Sequence, residues 1–303
     1  MKRRPLRVLL ALSLLAPAPV AAQRAPTPPK VLSAPASARA MALGGAYMMN
    51  AGHADALFYH PALLVGASGF GVEVQSWGGE GTAAAASAAM AWLGGGVGIG
   101  LQALQGGMAT AYVPRGEDAL FGRGEVALSE RVATVGYARR VFGVQVGVAG
   151  KLVDERLGGA SSATVLADVG LARTLGPVTV GATLRDIGKD PFQVDGGFAP
   201  ARLVVGAGSY GRQVGPLDLG FTASLSYSDE ETLAGAGVEV GYWPISGRTF
   251  VARAGVRNAP DGSEADPFTF GFAFWGDDLV LEWAYQGFGD LGDGTHRFGV
   301  RWR

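Results

Sequence analysis

The residues of this 303-residue chain that could do chemistry recur at alternate positions. Glu73, Gln102, Lys151, Asp168, Arg185, Arg202, Asp218, Glu239, Arg253, Arg257, Glu282, Arg297 and Arg301 all lie on the polar side of stretches that alternate apolar and polar residues. Successive side chains on a strand point to opposite faces, so this set shares one face of a sheet. Two readings of that face stand. It lines a polar conduit that binds or filters a solute, or its charges pair with one another and stiffen a wall, since an unpaired ion in a narrow interior is costly. For any single residue the paired reading is favoured. Arg253, Arg257, Arg297 and Arg301 also bias the C-terminal strands towards positive charge, which would suit an anionic group.

Other chemistry finds little support. His53, His60 and His296 are scattered without zinc-site spacing, and the chain has no cysteine for a thiolate site, a disulfide or a lipid anchor. His296 with Asp290 and Asp293 makes a hydrolytic set on paper. One histidine near an aspartate is common by chance, so the chain is read as a non-enzyme, with a barrel lipase or protease as the alternative. No phosphate loop or dinucleotide fingerprint occurs, because residues 94–96 form a glycine turn with no Lys-Ser/Thr after it. No cofactor or metal is expected. A net charge of −1 gives no electrostatic case for nucleic acid.

The elements that position the polar face are strands. Phe268, Phe270, Phe272 and Phe274 alternate with Thr269, Gly271 and Ala273; Leu281, Trp283 and Tyr285 alternate with Glu282 and Ala284. Fourteen such segments begin near Ser68, Thr82, Gly95, Arg131, Val144, Ser161, Pro177, Ala201, Pro216, Leu233, Arg248, Pro267, Leu279 and Thr295. Most run about nine to twelve residues, the span of a tilted membrane strand. The second is the weakest, because its alanine run hides any alternation. Short turns at 94–96, 143, 176–177, 213–215, 244–247 and 277–278 alternate with wider connections, the longest at 106–130, 188–200, 258–266 and 286–294. That is the rhythm of short periplasmic turns and longer outer loops, and an even strand count leaves both termini on the periplasmic side. The expected fold is all-β: a 14-stranded antiparallel transmembrane barrel with a small N-terminal helical hatch. A soluble sandwich is the alternative, but it would need a very thick core for so many aromatic residues and would leave open edges. The inner-face glycines, among them Gly71, Gly98, Gly100, Gly136, Gly147, Gly181, Gly206, Gly220 and Gly299, are read as letting the sheet curve.

The N-terminus divides into three parts. Lys2, Arg3, Arg4 and Arg7 precede the apolar run 8–16 and the small residues 20–22, which reads as a signal peptide over residues 1–22, with an uncleaved anchor as the alternative. Residues 23–36 carry Pro26, Pro28, Pro29 and Pro35 and read as an extended linker. Residues 37–66 are rich in Ala, Met and Leu around Gly44 and Gly45, giving two short helices with a glycine joint, the second ended by Pro61 or followed by a turn there. This segment is the hatch, plugging the barrel of residues 67–303; a periplasmic helical hairpin is the alternative.

Two stretches resemble the PorV/PorQ family of FadL-like outer-membrane barrels. The first is Ala38-Arg39-Ala40-Met41-Ala42-Leu43-Gly44-Gly45-Ala46-Tyr47 followed by Asp55-Ala56-Leu57-Phe58-Tyr59-His60-Pro61-Ala62-Leu63. The second is Leu291-Gly292-Asp293-Gly294-Thr295-His296-Arg297-Phe298-Gly299. Two features depart from the family pattern: His60 stands where the family usually has Asn, and Arg303 follows the terminal aromatic Trp302. The resemblance implies that Gly44, Gly45, Asp55 and Pro61 mark the hatch motif. It also implies one of two roles: passage of hydrophobic molecules, or service in type IX protein secretion. The implied partners are outer-membrane lipid and either secretion-system components or a hydrophobic ligand. A purely structural or partner-binding barrel remains a further reading.

Overall fold

In the computed structural model the described residues are 29–48, 52–76, 81–115, 119–157, 160–189, 201–228, 231–245, 248–258, 265–288 and 294–302, with side chains described except at 107–115, 119–127, 157 and 160. The expected signal peptide lies outside them. So do most of the expected outer loops at 188–200, 258–266 and 286–294.

Fourteen strands close into one antiparallel barrel: β1 Gly69–Ser76, β2 Gly81–Trp92, β3 Gly95–Arg115, β4 Ala119–Val141, β5 Val144–Leu157, β6 Ala160–Leu175, β7 Val178–Gly188, β8 Arg202–Val214, β9 Leu217–Tyr227, β10 Thr232–Ile245, β11 Arg248–Arg257, β12 Ala265–Trp275, β13 Leu279–Phe288 and β14 Thr295–Trp302. Each strand pairs with its sequence neighbours, and β1 pairs with β14 to close the ring. Within the ring, closure pairs every strand on both sides and leaves no edge there, as a chain in lipid requires. The greasy face of the alternation points outward: Phe70, Val72, Val74, Phe268, Phe270, Phe272 and Phe298 are exposed. This is the apolar band that a bilayer covers. The tight turns have left-handed backbone at Leu93-Gly94 and Phe142-Gly143, the two-residue geometry that matches strand twist.

Thirteen strands start within about two residues of expectation, and β4 does not. Residues 106–130 are not an outer loop. Residues 107–115 and 119–127 form a two-stranded extension of β3 and β4 that stays paired to Arg115↔Ala119, beyond the last pairing of β3 with β2 at Gly81↔Gly106 and of β4 with β5 at Leu128↔Leu157. Broken alternation and Gly-rich composition concealed it; local hairpin pairing needs no buried face.

The N-terminal segment fills the lumen. It holds α1 Lys30–Ser33, α2 Ala38–Ala42 and two 3-10 turns, Ala54–Phe58 and Pro61–Leu64. The hatch therefore begins upstream of residue 37: Val31 and Leu32 of α1, within the stretch read as linker, are buried against Leu104, Val132, Val153 and Leu166. Leu57 and Leu64 pack on Ala138 and Ala149 across the lumen. Ser37 caps α2 by accepting from the Ala40 amide at 3.3 Å.

The hatch also explains the inner glycines better than curvature does. A Cβ at Gly100 would lie 2.5 Å from the Phe58 ring, one at Gly237 2.6 Å from Leu43, and one at Gly136 2.6 Å from Leu57. The wall is shaved to admit the hatch.

Candidate functional site

The luminal charges assemble into two buried networks. In the first, Arg39 of α2 donates to Glu239 of β10 at 3.1 Å. Arg253 of β11 binds Glu239 at 2.6 Å and Glu282 of β13 at 2.6 Å. Arg301 of β14 reaches Glu282 at 2.9 Å and Asp55 of the hatch at 4.0 Å. Tyr47 donates to Asp55 at 2.8 Å, and both Arg39 and Arg301 contact Nδ1 of His53. The Arg39 guanidinium also stacks 4.7 Å from the Tyr210 ring centroid.

Beside this chain, Arg297 lies 3.5 Å from Glu73, donates to Gln75 at 2.7 Å and to the Ala36 carbonyl at 2.7 Å. Glu73 accepts the Ala38 amide at 3.0 Å. The strands thus hold the hatch by charge-assisted bonds to its backbone as well as to its side chains. The Arg39, Arg253, Arg297 and Arg301 charges are matched by Glu73, Glu239, Glu282 and Asp55. Such pairs stabilise weakly against an apolar alternative, but breaking one leaves a buried charge exposed to no solvent.

The second network is on the far wall. Lys151 of β5 binds Asp168 of β6 at 2.7 Å and Asp186 of β7 at 2.6 Å. Arg202 of β8 binds Asp186 at 2.6 Å and donates to the Leu32 carbonyl at 3.0 Å. Asp186 escaped the sequence reading because strict alternation sends it outward. A register shift between Ala167 and Val169, with φ of 60° at Asp186, turns it into the lumen.

Between the hatch and the outer ends of β7–β11 lies a cavity of about 120 Å³. Arg185, Arg202, Arg257, Ser224 and Ser226 supply its polar side; Met48, Phe58 and Leu233 supply apolar surface.

The expected site residues therefore separate into kinds. Lys151, Asp168, Arg253, Glu282, Arg297 and Arg301 are ion-paired and build the wall, which withdraws Arg253, Arg297 and Arg301 from any anion filter. Arg185 and Arg257 alone of that set face the cavity. Among the hatch residues, Asp55 joins the first network. Gly44, at φ +68°, passes its amide to Thr269 Oγ1 at 3.1 Å, and a Cβ there would sit 2.9 Å from the Ala236 carbonyl oxygen. Gly45, at φ +75°, completes the joint, and Pro61 opens the second 3-10 turn. Arg39 lies within the N-terminal motif, which marks no role for it, and His53 and Tyr210 carry no pattern of their own; only the fold brings the three together. His60, on the hatch, packs its ring on Gly170 and Gly181, and burial pushes its pKa down to about 4. His296 lies on the outer face, accepting from Trp283 Nε1 at 3.3 Å and packed on Tyr285; Asp290 and Asp293 are outside the described residues.

No family profile and no curated protein matches the chain. Solved structures do. The toluene transporter TbuX of Ralstonia pickettii is 13% identical, with a TM-score of 0.58 over 87% of this chain and 97% of its own. The toluene transporter TodX of Pseudomonas putida is 12% identical, with a TM-score of 0.54 over 86% and 95%. A deletion mutant of the TodX monoaromatic hydrocarbon channel reaches a TM-score of 0.60 at 13% identity, over 87% and 96%. At that identity the likeness is one of fold: this chain has a FadL-like barrel.

Proposed function

We propose that the chain is an outer-membrane channel of the FadL-like kind, passing small hydrophobic molecules. The observation that carries the reading is the plugged lumen: an ion-paired hatch closes the barrel yet leaves a cavity with apolar surface on its outer side. A filled structural barrel needs no such space, and an open pore needs no hatch. The neighbours of similar fold carry toluene and monoaromatic hydrocarbons, which supports the substrate class. The apolar exterior and the exported-type N-terminus support the outer membrane as its place. The test is uptake of radiolabelled toluene into vesicles reconstituted with the full chain. Faster uptake than in empty vesicles is expected, and equal rates would refute the reading.

A second reading is favoured by the β3–β4 extension, which stands beyond the last pairings with β2 and β5. It offers a paired ribbon to a partner, which supports the secretion role that the PorV/PorQ resemblance implies. Capture of secretion components by the full chain from detergent extract, lost when residues 107–127 are replaced by a tight turn, would support that role instead.

A further inference from the structure

Register places Arg185 of β7 directly opposite Arg202 of β8 on the inner face. Like charges so placed repel unless an anion lies between them. Asp186 serves Arg202, whose Nε and Nη2 approach its Oδ2 at 3.1 and 2.6 Å, while its Oδ1 is held by Lys151 at 2.6 Å. Both oxygens already accept from Lys151 and Arg202, and Arg185 acts on this carboxylate only from beyond ion-pair distance. Among the described residues Arg185 has no ion pair, and its buried Nε has no hydrogen-bond partner. Arg257 of β11 repeats the pattern on the same cavity: its Nε is buried and without a hydrogen-bond partner, and the nearby Glu231 carboxylate acts on its charge without coming within ion-pair distance. The two guanidiniums thus face a space that Arg202, Ser224 and Ser226 also line on its polar side, with Met48, Phe58 and Leu233 on its apolar side.

We propose that this cavity binds a small aromatic carboxylate, its carboxylate held by Arg185 and Arg257 and its single ring against Met48 and Phe58. The proposal rests on the channel reading above and narrows its substrate class. Three considerations select the ligand. A guanidinium recognises a planar carboxylate through parallel donors. The cavity, about 120 Å³, is smaller than the roughly 150 Å³ that admits benzene, so it takes at most one ring, with the carboxylate towards its open side, and excludes a long chain. A neutral hydrocarbon would displace water from both guanidiniums and return no hydrogen bond, while a carboxylate without a ring would leave the apolar surface unused.

The test is calorimetric titration of the full chain in detergent with benzoate, toluene and acetate, on the wild type and on an Arg185→Met/Arg257→Met double variant. Heat-modifiable gel migration confirms that each variant is folded. Benzoate should bind more tightly than toluene or acetate, and the double variant should weaken it by about tenfold or more. Arg257→Lys should keep part of the affinity, since the charge remains and the fork is lost. Toluene or acetate binding as well as benzoate would overturn the proposal, as would undiminished benzoate binding by the folded double variant. If toluene uptake into vesicles persists while benzoate fails to bind, the channel reading stands and this inference falls; if benzoate binds but toluene does not enter the vesicles, the cavity stands as a carboxylate site and the hydrocarbon-passing reading falls; if uptake and binding both fail, both fall.

Discussion

Arg253 Nη1 lies 2.6 Å from Glu282 Oε1, with both side chains shut off from solvent. The two residues sit on β11 and β13, with β12 between them, and Gly271 of β12 is the register partner of Arg253. A Cβ at Gly271 would lie 2.5 Å from Ala42 Cβ, so the bare strand there lets α2 sit against the wall beside the pair. The pair is the centre of a chain of charges that runs from the wall into the hatch, through Glu239 to Arg39 and through Arg301 to Asp55.

Arg253→Met should therefore destabilise the barrel severely. It strips one partner from each of two buried carboxylates, and breaking a buried pair costs about 3–5 kcal/mol. The temperature at which the folded gel band converts to the unfolded one should fall well below that of the wild type. Arg253→Met combined with Glu282→Leu should recover part of the loss, because the charges balance again, with Arg39 on Glu239 and Arg301 near Asp55. A single variant that converts at the wild-type temperature would show that the network does not bear on stability.

Arg39→Ala tests the hatch's attachment more directly. The substitution removes the Glu239 pair and the stacking on Tyr210, both made from α2 to the wall. The strands keep their own ladder, so the barrel should still fold, but the hatch should loosen. Single-channel conductance in planar bilayers should rise, with openings absent from the wild type. Unchanged conductance would mean that the remaining bonds to Ala36, Ala38 and Gly44 suffice to seat it.

Period-two alternation carries only what depends on the two faces of each strand. It placed Lys151, Asp168, Glu282 and Arg301 indoors and the Phe268–Phe274 row outdoors, because one face meets oil and the other does not. It could not reveal Asp186, where a bulge and a left-handed backbone reverse the parity. Nor could it distinguish the paired Arg253 from the cavity-facing Arg257 four residues later, since their partners lie on other strands and inside the hatch. The contacts that seat the hatch span the chain, as from Ala36 to Arg297. Such pairings leave no local trace, and neither does the reason for Gly100 or Gly237, whose neighbours are hatch side chains.

Gly44→Ala should unseat the hatch by backbone strain and by a clash with the wall. The residue has φ +68°, which costs a β-carbon-bearing residue about 1 kcal/mol or more. The added methyl would also meet the Ala236 carbonyl oxygen at 2.9 Å. Both effects press α2 away from β10 and β11. Protease cleavage between residues 37 and 66, assayed on the folded barrel, should accelerate relative to the wild type. Gly45→Ala makes the control: a Cβ there meets nothing within 4 Å, so it carries the backbone strain without the clash and should show the smaller effect.

Acid should loosen the hatch through His60, which belongs to the hatch and not to a spanning strand. Burial lowers its pKa to about 4 from the ordinary 6.5. A released hatch, with His60 in water, takes up a proton below pH 6.5; the seated one does not until about pH 4. The seated state is therefore fully favoured above pH 6.5 and loses ground as pH falls through that window, by about 3 kcal/mol at pH 4. Protease sensitivity or conductance should rise across pH 6.5 to 4. His60→Asn keeps a compact polar side chain that does not titrate, so it should flatten that rise while leaving neutral-pH behaviour close to wild type. A variant with the same acid response as the wild type would assign the response to other groups and remove His60 from the hatch's control.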